Sequence, residues 1–199
     1  MLRAKRLLLL ALSTLYAATT WANDATECER HTKSENYAAA YESCKSAAAD
    51  GNTKAKVALA EMYAAGNYVQ QNSQRAFELY KDAAERENAK AQLALGNLYY
   101  YAFGLVIQDY EEALRYYELA AHNGNAQAQY MLGSMYSAAQ GVTEDDVKAH
   151  MWLNIASANG YSGASRLREL VSVNMTQEEI SKAQKKANEC LNTSYQNCD

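Results

Sequence analysis

Apolar residues recur along the chain three and four positions apart, the spacing of one face of an α-helix rather than the alternation of a strand. Ala91, Leu95, Leu98 and Tyr99 form one such stripe, and after a break Ala113, Tyr116, Tyr117, Ala120 and Ala121 form another. The breaks carry glycine, near Gly66, Gly104 and Gly141, where a positive φ is cheap. The chain has no proline, so nothing inside the stripes forces a helix to stop. The pattern predicts pairs of helices joined by short turns.

The stripes repeat. Leu59-Ala60-Glu61-Met62-Tyr63 returns as Leu95-Gly96-Asn97-Leu98-Tyr99 and again as Leu132-Gly133-Ser134-Met135-Tyr136, at spacings of 36 and 37 residues. The second helix keeps its own register, with Ala40, Ala76, Ala113 and Ala149 in one series and Ala47, Ala83, Ala120 and Ala156 in another. Small side chains there let neighbouring helices approach. A fixed period of this length predicts an all-α solenoid of antiparallel helix pairs, with full units at 53–88, 89–125 and 126–163. Because Ala40 and Ala47 belong to the series, residues 23–52 read as a degenerate capping unit. Residues 164–199 lose the motif and turn polar, as a closing element must. Within them Thr176 and Glu179 form a capping-box pattern that opens a last helix running through Ala183 and Ala187.

The N-terminus adds an address. Arg3, Lys5 and Arg6 precede an apolar run from Leu7 to Leu15, and Ala22 ends a small-residue site, so the segment reads as a signal peptide cleaved after Ala22. The run is too short for the roughly 20 residues that span a bilayer. Loss of those three basic groups takes the formal charge from −4 to −7, which disfavours nucleic acid and anionic lipid as partners. In an exported chain the four cysteines, Cys28, Cys44, Cys190 and Cys198, read as disulfides. Three pairings are possible, and short loop closure favours Cys28 with Cys44 and Cys190 with Cys198. The cysteines lack close-set pairs and the histidines are scattered, so neither a metal nor a cofactor is expected.

One string is more specific than its periodicity. Leu95-Gly96-x-x-Tyr99, Gly104-x-Val106-x-x-Asp109-x-x-x-Ala113 and Ala120-Ala121-x-x-Gly124 resemble the Sel-one-like repeat family, relatives of the tetratricopeptide repeats. Leu132-Gly133-x-x-Tyr136, Gly141-Val142-x-x-Asp145-x-x-x-Ala149 and Trp152 look like a second copy, while the first departs at Ala60 and Asn72. The resemblance covers roughly residues 37 to 190. It implies an adaptor α-solenoid, and with the signal segment and terminal cysteines a periplasmic or secreted bacterial member. One cysteine-rich branch of the family is associated with penicillin binding and weak β-lactamase activity. Its units each carry a cysteine pair, and no cysteine lies between Thr53 and Gly160 here.

In related arrays the first helix of each pair lines a concave face. Counted from the repeat leucine, its outward positions carry Lys54, Val57 and Glu61, then Lys90, Leu93, Asn97, Tyr100 and Tyr101, then Gln127, Tyr130 and Ser134. Glu61, Asn97, Tyr100, Tyr101, Tyr130 and Ser134 are therefore the candidate site for a protein or peptide segment, with the three tyrosines as anchors. Tyr63, Tyr99 and Tyr136, at the motif's own position, are expected to pack inside. His31, His122 and His150 share no motif, the adjacent acids read as solvated faces, and no nucleophile or phosphate-loop signature is present. The expected function is a non-enzymatic adaptor; a β-lactam-binding protein and a structural subunit of an envelope complex are the alternatives.

Overall fold

The computed structural model describes residues 24–198, so the expected signal segment and its cleavage site lie outside the described residues. The described chain is helical, with no strand. Its elements are α1 (24–33), α2 (Tyr37–Ala49), α3 (Thr53–Ala65), α4 (Ser73–Ala84), α5 (Ala89–Tyr101), α6 (Tyr110–His122), α7 (Ala126–Ser137), α8 (Asp146–Ala158), α9 (Ala164–Ser172) and α10 (Gln177–Asn192). The paired-helix, all-α class read from the periodicity is the class observed. Two compact units divide it, one ending at Ala83 and one beginning at Ala84.

Helix starts are set by a side chain recurring with the repeat. Asn52, Asn88 and Asn125 cap the first helices, accepting hydrogen bonds from the backbone amides of Ala55, Ala91 and Ala128 at 2.9–3.1 Å. Asn72, Asp109 and Asp145 cap the second helices in the same way, through Arg75, Glu112 and Lys148. Each such cap is worth about 1 kcal/mol. The capping box read at Thr176 is present, with Glu179 bonded back to the Thr176 amide.

In unit 1, Cys28 on α1 is bonded to Cys44 on α2, and both pack with Ala40, Ala47, Leu59 and Met62 into one buried cluster. In unit 2 a larger cluster runs from Leu93 through Tyr117, Leu132 and Leu153 to Ala187 and Cys190. Cys190 is bonded to Cys198, folding the tail back. Tyr195 then lies at the ends of α6 and α8: its hydroxyl donates to the side-chain oxygen of Asn159, and Gly124 leaves room for its ring. Two disulfides, and no free cysteine among the described residues, belong to an oxidising compartment outside the cytoplasm.

Both alanine series are buried. The repeat glycines go further: a Cβ at Gly96 would meet the Tyr117 ring at 2.6 Å, and one at Gly133 would meet Leu153 at 2.5 Å. Each marks a helix crossing that admits no side chain.

Candidate functional site

A polar device lies within this apolar frame. Gln92 and Gln129 are buried at one register, 37 residues apart. The Gln92 amide donates to the carbonyl of Ala84 at 3.2 Å and its oxygen accepts from Asn123 at 2.9 Å. Gln129 repeats both bonds, to Ala121 at 3.1 Å and from Asn159 at 2.8 Å. Each glutamine thus adds a second bond to a carbonyl at the end of the preceding α-helix, which also accepts the backbone amide of Glu87 or Gly124, and ties the end of the following helix. At the same register in unit 1 stands Lys56, buried and ion-paired with Asp82. The 36- and 37-residue spacing of Lys56, Gln92 and Gln129 was the available signal, but a polar residue within an apolar stripe reads as an interruption until its partners are known.

The predicted binding residues divide along similar lines. Val57 and Leu93 are not outward, as their register implied; both are buried, because α3 and α5 are covered on more than one side, with Ala55 to Ala60 buried without a break and all but Ala94 buried from Ala91 to Gly96. Asn97 is half-buried and its oxygen accepts the Tyr117 hydroxyl at 2.8 Å. Ser134 is half-buried. Glu61, in unit 1, is half-buried; the Tyr80 phenol is pushed well above its ordinary pKa by burial first and by Glu61 second. Lys54, Lys90 and Gln127 are exposed.

The tyrosines of unit 2 do come together. Tyr100 lies edge-on to Tyr101 at 4.7 Å and to Tyr110 at 5.2 Å between ring centroids, with Tyr117 beneath at 6.3 Å. Its hydroxyl donates to Gln140 at 2.8 Å, in the loop of the next repeat. Burial raises the Tyr100 pKa, the hydrogen bond to Gln140 opposes it, and the phenols of Tyr101, Tyr110 and Tyr130 add to the rise. Tyr130 packs on Tyr161 at 4.8 Å. Tyr101 is 51% exposed, whereas Tyr100 and Tyr130 are half-buried. The result is a fixed aromatic surface whose edges and hydroxyls reach water. Of the motif tyrosines, Tyr136 is buried, while Tyr63 and Tyr99 are half-buried, the latter stacked on Tyr116 at 5.7 Å.

The loop leaving α5 extends that surface. Phe103 contacts Tyr101 and is 58% exposed, and beyond it Leu105 and Ile107 are 73% and 85% exposed. Gly104 and Val106 of this loop belong to the repeat motif, whereas Phe103, Leu105 and Ile107 do not.

The histidines have separate surroundings: His31 beside Glu27, His122 against the Tyr195 carbonyl, His150 buried beside Asn154. Burial, and then Arg168, lower the His150 pKa. Among the described residues no helix is long and apolar enough to cross a membrane.

The Sel1 repeat model matches residues 53–88, 89–125 and 126–161, more than half of the chain. Among solved structures, a Sel1 repeat protein from Oxalobacter formigenes is 34% identical at a TM-score of 0.62, covering 65% of this chain and 96% of that one. The protective antigen c5321 of uropathogenic Escherichia coli, which displays an SLR fold, is 23% identical at a TM-score of 0.49, covering 79% of this chain and 42% of that one. Cysteine rich protein B of Helicobacter pylori is 25% identical at a TM-score of 0.49, covering 58% of this chain and 87% of that one. No curated protein matches.

Proposed function

The chain belongs to the Sel1 repeat family, and we propose that it is a non-enzymatic adaptor of the periplasm or cell exterior that binds a segment of another protein on the tyrosine face of unit 2. The aromatic cluster carries this reading: Tyr100, Tyr101 and Tyr110 hold one another by ring contacts, yet keep accessible edges. Packing alone explains Tyr117, which is fully enclosed; it does not explain a tyrosine half open to solvent at the end of α5. Aromatic side chains restrained in this way contribute contact area at little cost in entropy, the property of binding hot spots. The two disulfides support the compartment, and the basic and apolar segment before Ala22 supports export into it.

The test is crosslinking capture from envelope extracts with the mature protein as bait, set against Tyr130→Ser and Tyr101→Ser variants of native helix content. A defined partner should be retained by the first and lost from the second two. Identical captures, or no specific capture by the parent protein, would remove the tyrosine face as a binding site.

A further inference from the structure

The three loops joining the paired helices share a frame. Counting back from the caps Asn72, Asp109 and Asp145, the third position is valine each time, Val69, Val106 and Val142, and each is half-buried. The positions flanking that valine differ: Tyr68 and Gln70 in the first loop, Leu105 and Ile107 in the second, Gly141 and Thr143 in the third. The frame therefore closes without aliphatic residues at those places, and the second loop carries two of them largely exposed to water. Its backbone is pinned, by the Asp109 amide donating to the Tyr99 carbonyl at 3.0 Å and by the Gln108 side chain donating to the Tyr100 carbonyl at 2.9 Å. With Tyr101 and Phe103 the loop presents apolar surface on the order of 500 Å², in the range where such patches on monomers are often functional.

Charge and area select the occupant. Acidic groups rim the patch. Asp109 and Glu111 are exposed at the foot of α6. The third loop abuts the start of α6, where a Cβ at Gly141 would lie 2.6 Å from the Tyr110 backbone, and it carries exposed Glu144 next to Asp145 and Asp146 in sequence. Arg115, the cation on α6, is bonded to Glu112. A second copy of this chain, at −4 over the full sequence and −7 after the expected cleavage, would bring net negative charge to an acidic rim and would need about 800 Å² per side for a stable dimer. An anionic lipid surface meets the same repulsion. Building on the adaptor reading, we propose that loop 101–107 is the anchor of the partner site and takes an aliphatic segment flanked by lysine or arginine.

Fluorescence anisotropy of a labelled synthetic peptide, a Leu-Ile core with lysines at both ends, tests this against the same core flanked by glutamates. The lysine peptide should bind the mature protein at least about tenfold tighter than the glutamate peptide, and Leu105→Gln/Ile107→Gln should weaken it by a similar factor. Hydrogen exchange of the parent complex should show protection at residues 101–108. Undiminished binding by the loop variant would overturn the proposal; if Tyr130→Ser then abolished it, the tyrosine-face reading would survive alone. Failure of the lysine peptide to bind also overturns it. A concentration-dependent dimer lost in the loop variant would assign the patch to a second copy. Binding to phosphatidylcholine vesicles lost in that variant would assign it to lipid.

Discussion

Gln129 and Ile107 belong to the same unit and are treated in opposite ways. The glutamine is polar and buried, and its amide and oxygen are bonded to neighbouring helix ends. The isoleucine is apolar and 85% exposed. Folding alone favours neither placement, since a buried amide costs free energy unless bonded and an exposed isoleucine gains nothing. The glutamine is explained by the repeat: it recurs as Gln92 with equivalent bonds, and its position in unit 1 is filled by a charged pair instead. The isoleucine has no such counterpart, for Gln70 and Thr143 occupy its place. What recurs belongs to the frame, and what departs from the frame at a cost in hydration is the basis for proposing an interaction there.

Substitutions can separate the two. The largest effect is expected at Gly133→Val, which drives a branched side chain into Leu153 and the Ala149 carbonyl; overpacking of that kind should cost about 3 kcal/mol, read by urea unfolding. Gln129→Leu fills the space but removes two hydrogen bonds, the one to the Ala121 carbonyl, which keeps only its bond from the Gly124 amide, and the one from Asn159, for a loss of about 2 kcal/mol in the same measurement. Tyr117→Phe removes only the hydroxyl held by Asn97 and should cost about 1 kcal/mol, placing Asn97 with the frame. Leu105→Gln/Ile107→Gln lies at the small end, with a change within about 0.5 kcal/mol, as for exposed positions that touch nothing.

The sequence made the frame readable because each element states itself more than once. The Tyr63, Tyr99, Tyr136 spacing and the two alanine series carry the helix pairs, and Thr176 with Glu179 marks the last helix on its own. Side-chain facing was less readable. Val57 and Leu93 follow the outward register yet are buried, because periodicity assigns a helix one covered side, whereas a helix packed within an array is covered on several. The Gln92 and Gln129 ties needed the positions of carbonyls that no periodicity supplies. The apolar loop was present in the letters Phe103-Gly104-Leu105-Val106-Ile107, but only the contrast of half-buried Val106 with exposed neighbours distinguishes packing from display.

The most direct measurement is urea unfolding and lysine-peptide affinity determined together on Gln129→Leu and Leu105→Gln/Ile107→Gln. The account predicts that the two readouts separate: the first variant loses about 2 kcal/mol of stability and, still folded without urea, binds the peptide as the parent does, while the second unfolds with the parent and loses about tenfold in affinity. If the loop variant instead loses stability on the scale of Gln129→Leu, or binds undiminished, the loop is part of the frame and the separation drawn here is wrong.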